Sequence, residues 1–94
     1  MAHTRSSIKR IRQAERRRVR NQMIRSRVKT LIKRARSLIE AGDVDQARLS
    51  VGDAISALDK AAERGILHRN NAARRKSRLM KRYNVTFSSP APTA

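Results

Sequence analysis

Residues 24–46 read IRSRVKTLIKRARSLIEAGDVDQ, and this stretch decides the fold. Ile24, Val28, Leu31, Ile32, Ala35, Leu38 and Ile39 recur at steps that gather side chains along one side of an α-helix, while Arg25, Lys29, Lys33 and Arg36 fall towards the opposite side. Gly42 then supplies a residue that enters the left-handed conformation at little cost and so closes a helix. Asp43 with Gln46 resembles a capping box that opens the next one. The stretch therefore specifies two amphipathic helices meeting at a tight turn.

Downstream, Val44, Ala47, Val51, Ile55, Leu58 and Ala62 continue the helical spacing and predict a second stripe packed on the first. Gly52 interrupts this helix at a cost of about 1 kcal/mol relative to alanine, and a close backbone approach is the reason open to it. Gly65 repeats the stop signal. Ile66 to Tyr83 then place Ala72, Ala73, Leu79, Met80 and Tyr83 towards one side and Arg74, Arg75, Arg78 and Arg82 towards the other. Proline occurs only at 90 and 92, so nothing breaks a helix over residues 5–84. The expected helices span about 5–41, 43–64 and 66–84, and SSPAPTA at 88–94 reads as a disordered tail.

Upstream of Ile24 the same face meets Asn21, Arg20, Arg17, Gln13 and Arg10, so the core-facing stripe becomes cationic. Arginines are not buried against an apolar core without paired acids, and Glu15 is the only acid before residue 40. Residues 5–23 must leave the bundle. Without a polyanion beside it, this segment is expected to be largely disordered. The predicted architecture is thus all-α: a single domain over 1–94, a three-helix bundle whose long basic N-terminal helix extends beyond it.

Charge sets the functional class. Among 94 residues stand 24 Lys and Arg against 7 Asp and Glu, a net charge of +17 that strains a compact fold unless a polyanion screens it. Residues 40–63 hold six of the acids and only two bases, Arg48 and Lys60, so the second helix is expected to face away from that polyanion. The binding surface then lies on the first and third helices. Its first cluster is Lys9, Arg10, Arg12, Arg16, Arg17, Arg18 and Arg20, spread around the helix as for a segment surrounded by phosphate, with Arg25 following. In the second, His68, Arg69, Asn70, Asn71, Arg74, Arg75, Lys76, Ser77, Arg78, Lys81 and Arg82 offer arginine forks for phosphates and amides or hydroxyls for sugar and phosphate. His68 by itself reads equally as a helix-start residue.

Other classes fit poorly. Surface-binding membrane helices set Trp, Phe and Leu opposite their basic face, whereas this chain has one Phe, one Tyr and no Trp. No run of about 18 apolar residues exists, and MAHTRSSIKR lacks a signal peptide's apolar stretch, so a cytoplasmic location is expected. Cysteine is absent, and His3 and His68 cannot make a metal site alone. No nucleophile-and-base pair, paired carboxylates or glycine-rich phosphate loop occurs, so neither an enzyme, a cofactor nor a small-molecule substrate is expected. An architectural DNA binder would show a groove-reading helix, a wedge residue or a dimer surface, and none is identifiable. An adaptor that docks protein through the acidic helix leaves the two basic clusters unexplained.

The run from Gly65 to Leu79, GILHRNNAARRKSRL, closely resembles the third-helix signature of the bacterial small-subunit ribosomal protein family numbered twenty. Ser6, Ser7, Lys9, Arg10 and Asn21, and later Arg27, Lys29 and Thr30, are similar to its opening, and the resemblance covers roughly residues 2–84. It implies a three-helix bundle that binds small-subunit ribosomal RNA directly and helps assemble and stabilise the subunit, beside its other components and without obligate self-association. Carried over residue by residue, it implies RNA contacts at Lys9, Arg10, Arg16, Arg17 and Arg20, and at His68, Asn70, Arg74, Lys76, Ser77 and Arg78. The extension from Val85 departs from the family pattern, leaving Phe87 either to stack on a base or to lie on the bundle.

Overall fold

The computed structural model describes residues 4–87, and the tail expected over 88–94 lies outside the described residues. Among them are three α-helices: α1 (Arg5–Ala41), α2 (Val44–Glu63) and α3 (Arg69–Phe87). At about 1.5 Å per residue, the 37 residues of α1 reach roughly 55 Å. Thr4 caps the start of α1, its hydroxyl accepting from the Ser7 N–H at 3.1 Å.

Both glycine stops form. Gly42 adopts φ +79° and donates to the Ile39 carbonyl while Asp43 donates to that of Leu38, the paired bonds of a Schellman ending. The Asp43 carboxylate then accepts from the Gln46 N–H at 3.2 Å and opens α2. Gly65, at φ +75°, repeats the motif, with Gly65 bonded to Ala62 and Ile66 to Ala61.

The third helix departs from its expected limits at both ends. It begins at Arg69 rather than near 66 because Ile66 turns inward, only 6% exposed, and packs with Leu58 and Ala61. His68 becomes the start: its Nδ1 accepts from the Asn70 N–H at 3.1 Å and its carbonyl from that of Ala72. At the far end α3 runs past 84 to Phe87, whose ring lies 5.0 Å from that of Tyr83, and both pack on the core. Of the two fates open to Phe87, the structure has it on the bundle.

Helix α2 lies between the others, which meet each other only briefly. Its buried stripe is Ala47, Ser50, Val51, Ala54, Leu58 and Ala61. That is one step around from the expected one: Val44 is exposed, Ile55 and Ala62 are half-buried, and Ala54 and Ala61 take the centre. A helix packed on two sides favours small residues where both neighbours approach. Five of the eleven buried apolar residues are alanines. On α3, Ala73 and Met80 are exposed, and the inward side passes from Ala72 through half-buried Arg75 and Lys76 to Leu79. Gly52 is exposed, and a methyl group added there would meet nothing within 4 Å, so close approach does not account for it.

The core divides into two clusters. One joins Ala35, Ile39, Ala47, Val51, Ala54 and Leu79 near the α1–α2 turn, and the other joins Val28, Leu58, Ala61, Ile66 and Ala72 near the α2–α3 turn. Ile24 is the first residue of α1 packed against either. Every residue from Ile8 to Arg20 is exposed. The arm over 5–23 therefore stands clear of the core, as the loss of an apolar face requires.

Candidate nucleic-acid interface

The arm is cationic on its core-side face, where Gln13, Arg16, Arg17 and Arg20 line a shallow depression. At about 100° per residue, Ile8, Val19 and Met23 fall on the other side, each exposed, so the arm carries apolar surface that the charge count hides. Glu15 pairs with Arg18 at 2.6 Å, one helical turn apart. That hydrogen bond, and then the charge of Arg18, hold the Glu15 carboxyl below its usual range and raise the guanidinium in turn. Lys9, Arg10, Arg12, Arg16, Arg17 and Arg20 have no acidic partner among the described residues.

A second cationic surface lies between α1 and α3. Lys29, Lys33 and Arg36 form one wall of a groove of about 540 Å³, Arg74, Arg75 and Arg78 form the other, and Ile32 and Leu79 supply its apolar lining. No carboxylate lines it, and none of the six cations has a salt-bridge partner among the described residues. Sequence spacing places Lys29, Lys33 and Arg36 opposite the core stripe of α1; in the fold they stand beside it. The reason is that α2 occupies one flank of that stripe, so α3 must approach from the other. Lys29 and Arg36 sit about 80–100° around from Val28, a separation readable from the sequence only once that side is known.

The remaining candidates scatter. Arg25 donates to the Ile66 carbonyl at 3.2 Å and so ties the α2–α3 turn to α1. Lys76 approaches Asp59 of α2 at 3.5 Å. Asn71 accepts from Nε of Arg75 at 2.8 Å, which fixes a guanidinium in the groove. His68 is committed through Nδ1 to capping and is exposed elsewhere. Arg69, Asn70, Ser77, Lys81 and Arg82 are exposed on α3. The clusters read from the sequence thus do not form one site: the arm, the groove and the outer side of α3 are separate surfaces.

No group of His, Cys, Asp or Glu that could hold a metal occurs among the described residues, and no helix there is long and apolar enough to cross a membrane. A short helical bundle with a cationic arm, a cationic groove and most of its acids on α2 or the turn before it defines a class of small basic all-α proteins. Comparison with known proteins gives the family: the model of "Ribosomal protein S20" matches residues 2–84, and the chain belongs to that family. It is 58% identical to small ribosomal subunit protein bS20 of Thermomicrobium roseum, over 90% of this chain and 86% of that one. It is 55% identical to the bS20 of Roseiflexus sp., over 97% and 100%, and 48% identical to that of Geobacter sulfurreducens, over 90% and 98%. The family is one of structural ribosomal proteins, not of enzymes, and the chain is accordingly not an enzyme.

Proposed function

We propose that this chain is a structural constituent of the small ribosomal subunit, binding directly to its ribosomal RNA, neutralising phosphates and stabilising the folded RNA as the subunit assembles in the bacterial cytoplasm. The observation that carries the reading is the arm: residues 5–23 hold eight bases against one acid and are held clear of the core. Such a helix has no fold of its own to stabilise. Its charges fit phosphate on several sides, with Lys9, Arg10, Arg12, Arg16, Arg17 and Arg20 making the contacts and Arg18 exchanging Glu15 for phosphate. Membership of a ribosomal protein family supports ribosomal RNA as that polyanion.

On α3, Arg74, Arg75 and Arg78 line the groove, and Ser77, Lys81 and Arg82 add exposed polar and cationic surface around it. Arg25 and Lys76 act mainly within the bundle, through Ile66 and Asp59. The other partners are the neighbouring components of the subunit; no obligate second copy, membrane or small-molecule substrate enters the reading. Ultraviolet crosslinking of the chain to RNA in cells, with peptide mapping, tests it. The expected crosslinks join arm and α3 peptides to small-subunit ribosomal RNA. Crosslinks spread over messenger RNA, or association that survives complete nuclease digestion, would overturn it.

A further inference from the structure

The groove between α1 and α3 differs from the arm in having an apolar lining, and that difference points to a particular form of ligand. We infer that it seats one unpaired nucleotide, its base against half-buried Ile32 and the plane of Arg75, with Leu79 buried beneath, and its flanking phosphates on the two cationic walls. The inference rests on the RNA-binding reading and specifies what this part of the surface takes.

A duplex presents only its phosphate ridges to such a surface. It would meet the cationic walls and leave the apolar lining unused. An unpaired nucleotide fills both parts, because its base is flat and largely apolar on its faces while its phosphates lie on either side. The volume of about 540 Å³ lies within the range of pockets that enclose a small ligand. Arg75 supplies the most specific feature. Its Nε donates to Asn71 at 2.8 Å, so the guanidinium plane is held in place while its terminal N–H groups remain available. A fixed arginine plane is a platform on which a base stacks, as well as a phosphate donor. Three cations facing three others without an intervening carboxylate also favour a ligand that brings negative charge between them.

The test uses the full chain and three RNA probes: a single-stranded pentanucleotide, the same ribose-phosphate backbone with all bases removed, and a duplex carrying the same pentanucleotide sequence. Affinities are measured at one salt concentration, with methyl NMR signals of Ile32 and Leu79 followed during titration. The expected result is about tenfold tighter binding of the pentanucleotide than of its abasic counterpart, with shifts at both methyl groups. Arg75→Lys keeps the charge and loses the plane, so it should reduce that ratio. Equal affinities with and without bases, or methyl shifts from the duplex as large as those from the single strand, would overturn the inference. A chain that binds a small-subunit ribosomal RNA fragment yet shows no base dependence sinks this inference alone. One that binds no RNA sinks the wider reading with it.

Discussion

Helix α1 places two regions of the molecule in one continuous element. From Ile24 to Ala41 it buries Val28, Ala35 and Ile39 against α2 and α3; from Arg5 to Met23 it buries no side chain. The backbone geometry is the same, but the source of stability differs. The first region is held by tertiary packing, whereas the second has only local propensity, one i,i+3 ion pair and repulsion among its arginines. Helical form is therefore secured by the fold in one half of α1 and by local interactions alone in the other.

The largest expected effect separates binding from folding. With about 6–10 phosphate contacts, raising salt from roughly 50 to 200 mM should lower RNA affinity by on the order of 10³ to 10⁵ by the duplex rule, while the bundle stays folded by circular dichroism. Arg17→Ala should reduce the magnitude of the log–log slope by about 1 and leave the melting temperature nearly unchanged. Affinity that barely responds to salt would remove phosphate neutralisation as the mechanism.

Leu58→Ala is the converse lesion. Leu58 is fully buried and packs between α1 and the α2–α3 turn, so its truncation should destabilise the bundle by about 2–5 kcal/mol in denaturant unfolding. A loss below about 1 kcal/mol would mean that the core around Val28 and Ile66 is not packed as described.

Amide exchange in the RNA-free chain sharpens the contrast within α1. Residues 5–23 should exchange almost without protection, whereas amides around Val28, Ala35 and Ile39 should be protected up to the global stability. Comparable protection along the whole helix would show that the arm folds unaided. A smaller effect concerns α2. Gly52→Ala should stabilise the free bundle by about 1 kcal/mol and raise its melting temperature by several degrees, since the added methyl meets nothing within 4 Å. Destabilisation there would assign Gly52 a backbone role.

The smallest effect is a titration. The folded-state pKa of Glu15 lies below its unfolded value, so its contribution to arm helicity is complete above the unfolded value and is lost as pH falls through the folded one. The pair is fully exposed, so the change should be slight and confined to acid pH. Residual helicity near Ala14 in the free chain, measured by NMR shifts, should show this acid transition in the wild type and lose it in Glu15→Gln. A transition that persists in the variant would place its cause elsewhere.

The sequence by itself determined the three helices, the two glycine stops and the separation of the arm. Gly42 and Gly65 mark turns because each takes a positive φ, and Arg10, Arg17 and Arg20 on the core-facing stripe forbid burial against an apolar core. Periodicity is a local property, so it survives in a linear reading. Which flank of a stripe meets which neighbour is not local. Only the tertiary structure made Ala54 and Ala61 the middle of α2's buried stripe and turned Ile66 inward to delay α3. It likewise brought Lys29, Lys33 and Arg36 across from Arg74, Arg75 and Arg78, residues some 40 positions apart. Helical spacing orders side chains around one axis, while the groove depends on the relative placement of two axes, which packing against α2 sets.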